Sequence, residues 1–277
     1  MSSDRDDEVR SPARRGMYVL PSTFTAGNIA IGYYSIVESI RGMSALDPAA
    51  FDRAAIAIIF AMFFDALDGR IARMTNTQSA FGRELDSLAD VITFGVAPSF
   101  LAYLWGVREM WPTAYPDFQA RLMRFGLVIC FLFLICGACR LARFNISVNP
   151  QPRNPGRPDR KYFVGMPIPA GAGVLAAVVH FEEGSPIHSM AMSALWLGLI
   201  GLVGFLMVSS WRFWSGKELD FSQRRPGRLL VLLALLASVV IFESRYSLIV
   251  LAMVYLLSGV FARLAYSWQR KATRTRG

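Results

Sequence analysis

Long apolar blocks separated by short polar stretches set the pattern of this chain. Gly16 to Val37 carries no charge over 22 residues, and His188 to Trp211 carries none over 24. A helix crosses a bilayer with ~20 apolar residues, so the pattern predicts membrane spans. Eight are expected, at roughly 17–38, 53–74, 85–107, 121–143, 163–181, 188–210, 227–243 and 246–266. The seventh is the shortest, with an uncharged run of only Leu229 to Phe242. The predicted fold is therefore all-α and integral to the membrane. A polar tail covers 1–16, a membrane-embedded body 17–266, and a basic tail 267–277. The polar start, Ser2 to Arg15, lacks the basic, apolar and cleavage regions of a signal peptide.

Composition agrees with this reading. Hydrophobic residues make up 54% of the 277 and charged residues 18%, against about 25% charged in a soluble domain. The net charge of +9 raises nucleic acid as a partner, but the placement of the charges points to lipid instead. With the N-terminus in the cytosol, all but Arg41, Arg53, Arg108, Arg121, Arg124 and Arg245 of the 29 Lys and Arg residues fall on the cytosolic side. That asymmetry predicts both termini inside. The loop Arg153 to Lys161 and the tail Arg270 to Arg276 would lie against anionic headgroups. Cys130, Cys136 and Cys139 share the fourth span and read as small hydrophobes, not as metal ligands or a disulfide. His180 and His188 flank an outer loop, and nothing in the sequence gives them a role.

Four aspartates stand out against this apolar background. Asp65 and Asp68 end the second span, and Asp86 and Asp90 begin the third. Charges in membrane helices cost ~3 kcal/mol or more each. Asp65 and Asp68 are three residues apart and Asp86 and Asp90 four, so each pair shares one helix face. The connection Met74 to Phe81 is short, which brings the two pairs to the same depth on antiparallel helices. Facing carboxylates stay ionised only with cations between them. Arg70 and Arg73 are near in sequence, and a salt-bridge network tying two helix ends is one solution. Hard divalent ions such as Mg²⁺ or Mn²⁺ satisfy more carboxylate oxygens and bridge them to phosphates, and a pair of such ions suits phosphoryl transfer. Gly69, Ala72 and Gly82 are small and sit beside the acids. They fit close approach by a substrate or close helix packing. Arg73 adds a planar cation suited to phosphate oxygens.

The run Asp65-x2-Asp68-Gly69-x2-Ala72-Arg73-x8-Gly82-x3-Asp86-x3-Asp90 resembles the complete signature of the CDP-alcohol phosphotransferases. The resemblance implies a six-helix membrane core, usually homodimeric, to which this chain adds two spans. It implies that Asp65, Asp68, Asp86 and Asp90 carry the metals, that Asp90 is also the base, and that Asp68, Gly69, Ala72, Arg73 and Gly82 line the nucleotide site. Three further segments, Leu20 to Asn28, Arg140 to Asn145 and Tyr162 to Ala170, are similar to the integral-membrane bacterial phosphatidylserine synthases. This second likeness implies CDP-diacylglycerol as donor and L-serine as acceptor. Asn28, Arg140, Arg143 and Asn145 become candidates for holding the acceptor or a phosphate. The basic pair suits an anionic group, and capping of a helix end at the positive-inside face explains it equally well.

Other readings stay open at this level. Glycerol 3-phosphate, inositol or inositol phosphate is an alternative acceptor alcohol. A membrane prenyltransferase also uses aspartates and Mg²⁺, but with its motifs far apart in the chain. A divalent-cation transporter would place its carboxylates near the bilayer midplane in repeated halves, and no internal repeat is seen.

Overall fold

A computed structural model describes residues 12–75, 80–108, 116–148, 162–214, 238 and 242–274. Its helices are α1 (Pro12–Ala45), α2 (Pro48–Thr75), α3 (Ala80–Asp90), α4 (Ala97–Tyr103), α5 (Pro116–Val148), α6 (Ile168–Phe181), α7 (Met190–Val208) and α8 (Ser244–Arg274). Of two π-helical segments, π1 (Val91–Val96) joins α3 to α4 and π2 (Leu104–Arg108) extends α4, giving one continuous rod. Among the described residues four helices are long and apolar enough to cross a membrane: Phe81–Arg108, Asp117–Ile146, Met190–Val208 and Ser244–Phe261. The expected seventh span lies outside the described residues apart from Ser238, Phe242 and Glu243.

α1 and α2 form an antiparallel hairpin. Asp47 starts α2 as its N-cap, its Oδ1 accepting from the Ala49 N–H at 3.0 Å, with Pro48 at the first helical position where its missing N–H costs nothing. Along the hairpin Ser35 Oγ donates to the Ala54 carbonyl at 2.9 Å. The buried Glu38 accepts from Arg41 Nη1 and Arg53 Nε, each at 2.7 Å. A buried carboxylate needs such partners. At the same end His180 Nδ1 lies 2.6 Å from Asp52 Oδ1, and His180 Nε2 lies 2.9 Å from Ser244 Oγ. One imidazole thus ties α2, α6 and α8, a role with no local signal in the chain. Arg245 pairs with Glu183 nearby. Three of the six arginines predicted on the outer side, Arg41, Arg53 and Arg245, are therefore ion-paired.

α6 is the central helix. Ten of its 14 residues are buried, as expected for a helix that is apolar all round. It starts later than the predicted fifth span. Tyr162–Val164 is instead strand β1, paired antiparallel with β2 (Arg212–Trp214) in a small two-stranded ribbon, the one departure from an all-helical fold among the described residues. Gly165 has φ +79°, a left-handed conformation that interrupts a helix, and Pro167 is extended at ψ 143° as the N-cap of α6, the usual backbone of that position. α5 and α8 are peripheral, with 22% and 11% of their apolar windows buried, so most of their side chains face lipid. The three cysteines are free thiols; Cys130 is buried as expected, whereas Cys136 is half-buried and Cys139 exposed.

Candidate active site

Asp65 on α2 and Asp86 and Asp90 on α3 converge at the end of the bundle opposite His180. Asp86 and Asp90 share a face, and π1 begins directly after Asp90. A π segment shifts the helix face by a fraction of a turn and often marks a functional position. Thr93 within π1 fastens the rod to α1, its Oγ1 donating to the Asn28 carbonyl at 3.1 Å. Asp90 interacts electrostatically with Asp65 and Asp86, and with opposite sign with Arg140. Its Oδ1 is buried without a hydrogen-bond donor. An orphaned carboxylate oxygen beside two further acids is a fit for a cation. Among the described residues no three His, Cys, Asp or Glu side chains stand close enough to enclose a metal ion by themselves. α2 carries Asp68, Gly69, Ala72 and Arg73 in its last turns, and their side chains lie outside the described residues. Gly82 sits in the first turn of α3.

The other candidates separate by environment. Arg143 is engaged with backbone: Nη1 donates to the Val208 carbonyl at 3.0 Å, and Nη2 to those of Val164, Ser209 and Met207 at 3.1, 3.2 and 3.4 Å. It caps the C-terminal carbonyls of α7 and pins β1 to them, which favours the capping reading for this residue. Asn145 Nδ2 donates to Ser87 Oγ at 2.8 Å, bracing α5 against α3 one residue after Asp86. Asn28 is buried with Oδ1 unpartnered. Arg140 differs from Arg143. It is buried, its Nε has no acceptor, and its guanidinium carbon sits 5.0 Å from the Phe144 ring centre and 5.7 Å from that of Phe163. The two rings hold it by cation–π attraction and keep its donors available beside Asp90.

Next to Asp65 a cavity of about 550 Å³ opens between α2, α6 and α8. Met62, Phe63, Pro169, Val174 and Leu251 give it apolar walls, and Asp65 and Tyr255 are the polar side chains lining it. Tyr255 interacts with the charge of Arg140. An apolar cavity of this size matches the chain of an amphiphile, and an anionic head beside Asp65 requires a cation between the two. Sequence reading missed Tyr255, Phe144 and Phe163. The one available signal was a hydroxyl-bearing ring at 255 within the apolar run Leu248 to Leu257.

A sequence model of the CDP-alcohol phosphatidyltransferase family matches residues 18–193. A Helicobacter pylori (strain J99) protein named CDP-diacylglycerol–serine O-phosphatidyltransferase is 36% identical over 250 residues, 88% of this chain and 90% of that protein. Proteins of the same name from Methanocaldococcus jannaschii and Saccharomyces cerevisiae are 35% identical over 181 residues and 38% over 149, covering 65% and 54% of this chain and 71% and 49% of those proteins.

Proposed function

The chain belongs to the CDP-alcohol phosphatidyltransferase family, and from that premise we propose that it transfers the phosphatidyl group of CDP-diacylglycerol to the hydroxyl of L-serine, releasing CMP. The carrying observation is the buried, donor-less Oδ1 of Asp90 beside Asp65, Asp86 and Arg140, with Asp65 also lining an apolar cavity. The serine acceptor is supported by the printed names of the relatives.

The donor lipid lies with its acyl portion in the cavity between α2, α6 and α8 and its pyrophosphate toward the aspartates. Asp65, Asp68, Asp86 and Asp90 would hold Mg²⁺ or Mn²⁺, two ions in all, which when bound supply positive charge against the pyrophosphate oxygens. Asp90 takes the proton from the serine hydroxyl. The serine oxygen forms its bond to the phosphorus that carries the diacylglycerol, and the bond from that phosphorus to the CMP oxygen breaks. Arg140 presents a desolvated guanidinium to the serine carboxylate. Asp68, Gly69, Ala72, Arg73 and Gly82 line the cytidine site. A carboxylate is a weak base for an alcohol, so positioning and electrostatics supply most of the rate. The protein sits in the cytoplasmic membrane with its site and both termini on the cytosolic side, a reading supported by the Lys and Arg distribution. A homodimer belongs to the same proposal, and the mass of the purified protein in detergent tests it.

The deciding experiment is CMP release by the purified protein from CDP-diacylglycerol with Mg²⁺ or Mn²⁺ and one alcohol at a time. Serine is expected to be used, and preference for glycerol 3-phosphate, inositol or inositol phosphate overturns the acceptor. Chelation with EDTA is expected to stop CMP release and either ion to restore it; full activity in excess EDTA would remove the metal from the proposal. The two arginines are expected to separate in the same assay. Arg140→Ala raises the KM for serine at least tenfold, with Arg140→Lys between it and the wild type. Arg143→Ala lowers the melting temperature and leaves that KM within about threefold, as removal of a carbonyl cap would. Equal KM effects for both would cancel the assignment.

A further inference from the structure

α8 holds none of the motif residues, yet it brings a hydroxyl to the substrate cavity. Leu248, Leu251, Ala252 and Tyr255 line that cavity, and their spacing puts them on one helix face. The first three are apolar, and the stripe ends in a phenol. Helix rise gives its depth. His180 ties Asp52 of α2 to Ser244 of α8 at one level, and both helices run from that tie toward the ribbon. Asp65 lies 13 residues past Asp52, and Tyr255 lies 11 past Ser244. They therefore stand about 20 Å and about 17 Å from the tie. The two polar side chains lining the cavity share its inner end.

The ring of Tyr255 is held in place. It stacks on Phe213 of β2, with centres 5.8 Å apart and planes at 30°. Phe213 is buried and nests on α8 at Gly259, where an added Cβ would collide with its ring. Across the ribbon Phe213 pairs with Phe163, whose ring faces Arg140. The ribbon thus orders two polar groups at once, Arg140 through Phe163 and Tyr255 through Phe213. Arg140 interacts electrostatically with both Tyr255 and Asp90, so the phenol lies within range of the reacting groups. An apolar ring with a polar tip suits the junction between the chains of a lipid and its head.

We propose that Tyr255 is a further substrate-binding residue. Its hydroxyl donates to an oxygen at the glycerol of the donor lipid, on the phosphate or on an acyl ester, and sets how far the head advances toward Asp65. This rests on CDP-diacylglycerol being the donor, as proposed above.

Equilibrium titration of the full chain in detergent, without any acceptor alcohol, tests the contact. The ligands are CDP-diacylglycerol and its dialkyl ether analogue, which keeps the phosphates and lacks the ester carbonyls. Tyr255→Phe keeps the ring on Phe213 and removes only the hydroxyl. It is expected to raise the Kd for CDP-diacylglycerol roughly fivefold, the effect of one lost hydrogen bond. The KM for serine is expected to stay within about twofold of wild type. Equal weakening of both ligands assigns the bond to the phosphate, and weakening of the diacyl ligand alone assigns it to the ester. An unchanged Kd for CDP-diacylglycerol in Tyr255→Phe, or a shift confined to the KM for serine, overturns the proposal. A wild type that binds CDP-diacylglycerol but releases no CMP with serine overturns the proposed reaction instead, and the titration still decides the role of Tyr255.

Discussion

Asp90→Asn is expected to stop CMP release, by a factor of ~10²–10⁴ or more, while binding of CDP-diacylglycerol survives. The substitution keeps the shape of the side chain and removes its capacity to take a proton. It also converts a carboxylate that shares its surroundings with Asp65, Asp86 and Arg140 into a neutral amide. The lipid body is held elsewhere, along the apolar walls between α2, α6 and α8, so affinity for the donor has a source independent of residue 90. Turnover by CMP release and donor binding by equilibrium titration, measured on the same preparation, separate the two effects. Full activity in this variant would remove Asp90 from the role of base.

Gly165→Ala is expected to destabilise the protein strongly, and it touches no reacting atom. Gly165 has φ +79°, where an L side chain is strained by ~1–2 kcal/mol. Its added Cβ would meet the Met207 carbonyl, with Arg143 Nη2 at 2.7 Å and the Ser209 carbonyl at 3.1 Å. None of these is a flexible chain end free to step aside, because Arg143 is fixed by the same carbonyls. The expected result is a loss of at least ~2 kcal/mol, read as a fall of several degrees in melting temperature in detergent. Activity falls with it, because Pro167 and Pro169, which line the substrate cavity, follow this turn directly. A melting temperature equal to wild type would show that the ribbon is dispensable.

What could be read from the sequence was what is local in it. Asp86 and Asp90 share a face because they are four residues apart, and a short connection returns them to Asp65. Helix geometry contains both facts. The spacing of Arg140 and Arg143 made them equivalent, and they are not. One meets backbone carbonyls near residues 164 and 208, the other two aromatic rings and Asp90, and these partners are remote in the chain. The same holds for the contacts of His180 with Asp52 and Ser244, which only tertiary packing brings together. Glu38 falls one residue past an uncharged run and looked like the end of a span, but it is buried between two arginines. The late start of α6 was encoded, in Gly165 and Pro167, but apolar content alone does not distinguish a strand and turn from the first turns of a helix.

The length of α6 also bears on where water ends. Fourteen residues rise about 21 Å, against about 30 Å of hydrocarbon in a bilayer. The shortfall lies at the aspartate end, where the chain continues as the β1–β2 ribbon. A two-stranded ribbon has open edges, and open edges at membrane depth are tolerated only against protein or water. In the proposed orientation the aqueous boundary would then dip into the protein on that side as a shallow vestibule. A soluble alcohol descends through it to meet the phosphate of a lipid that stays in its own leaflet, and the nucleotide leaves by the same route.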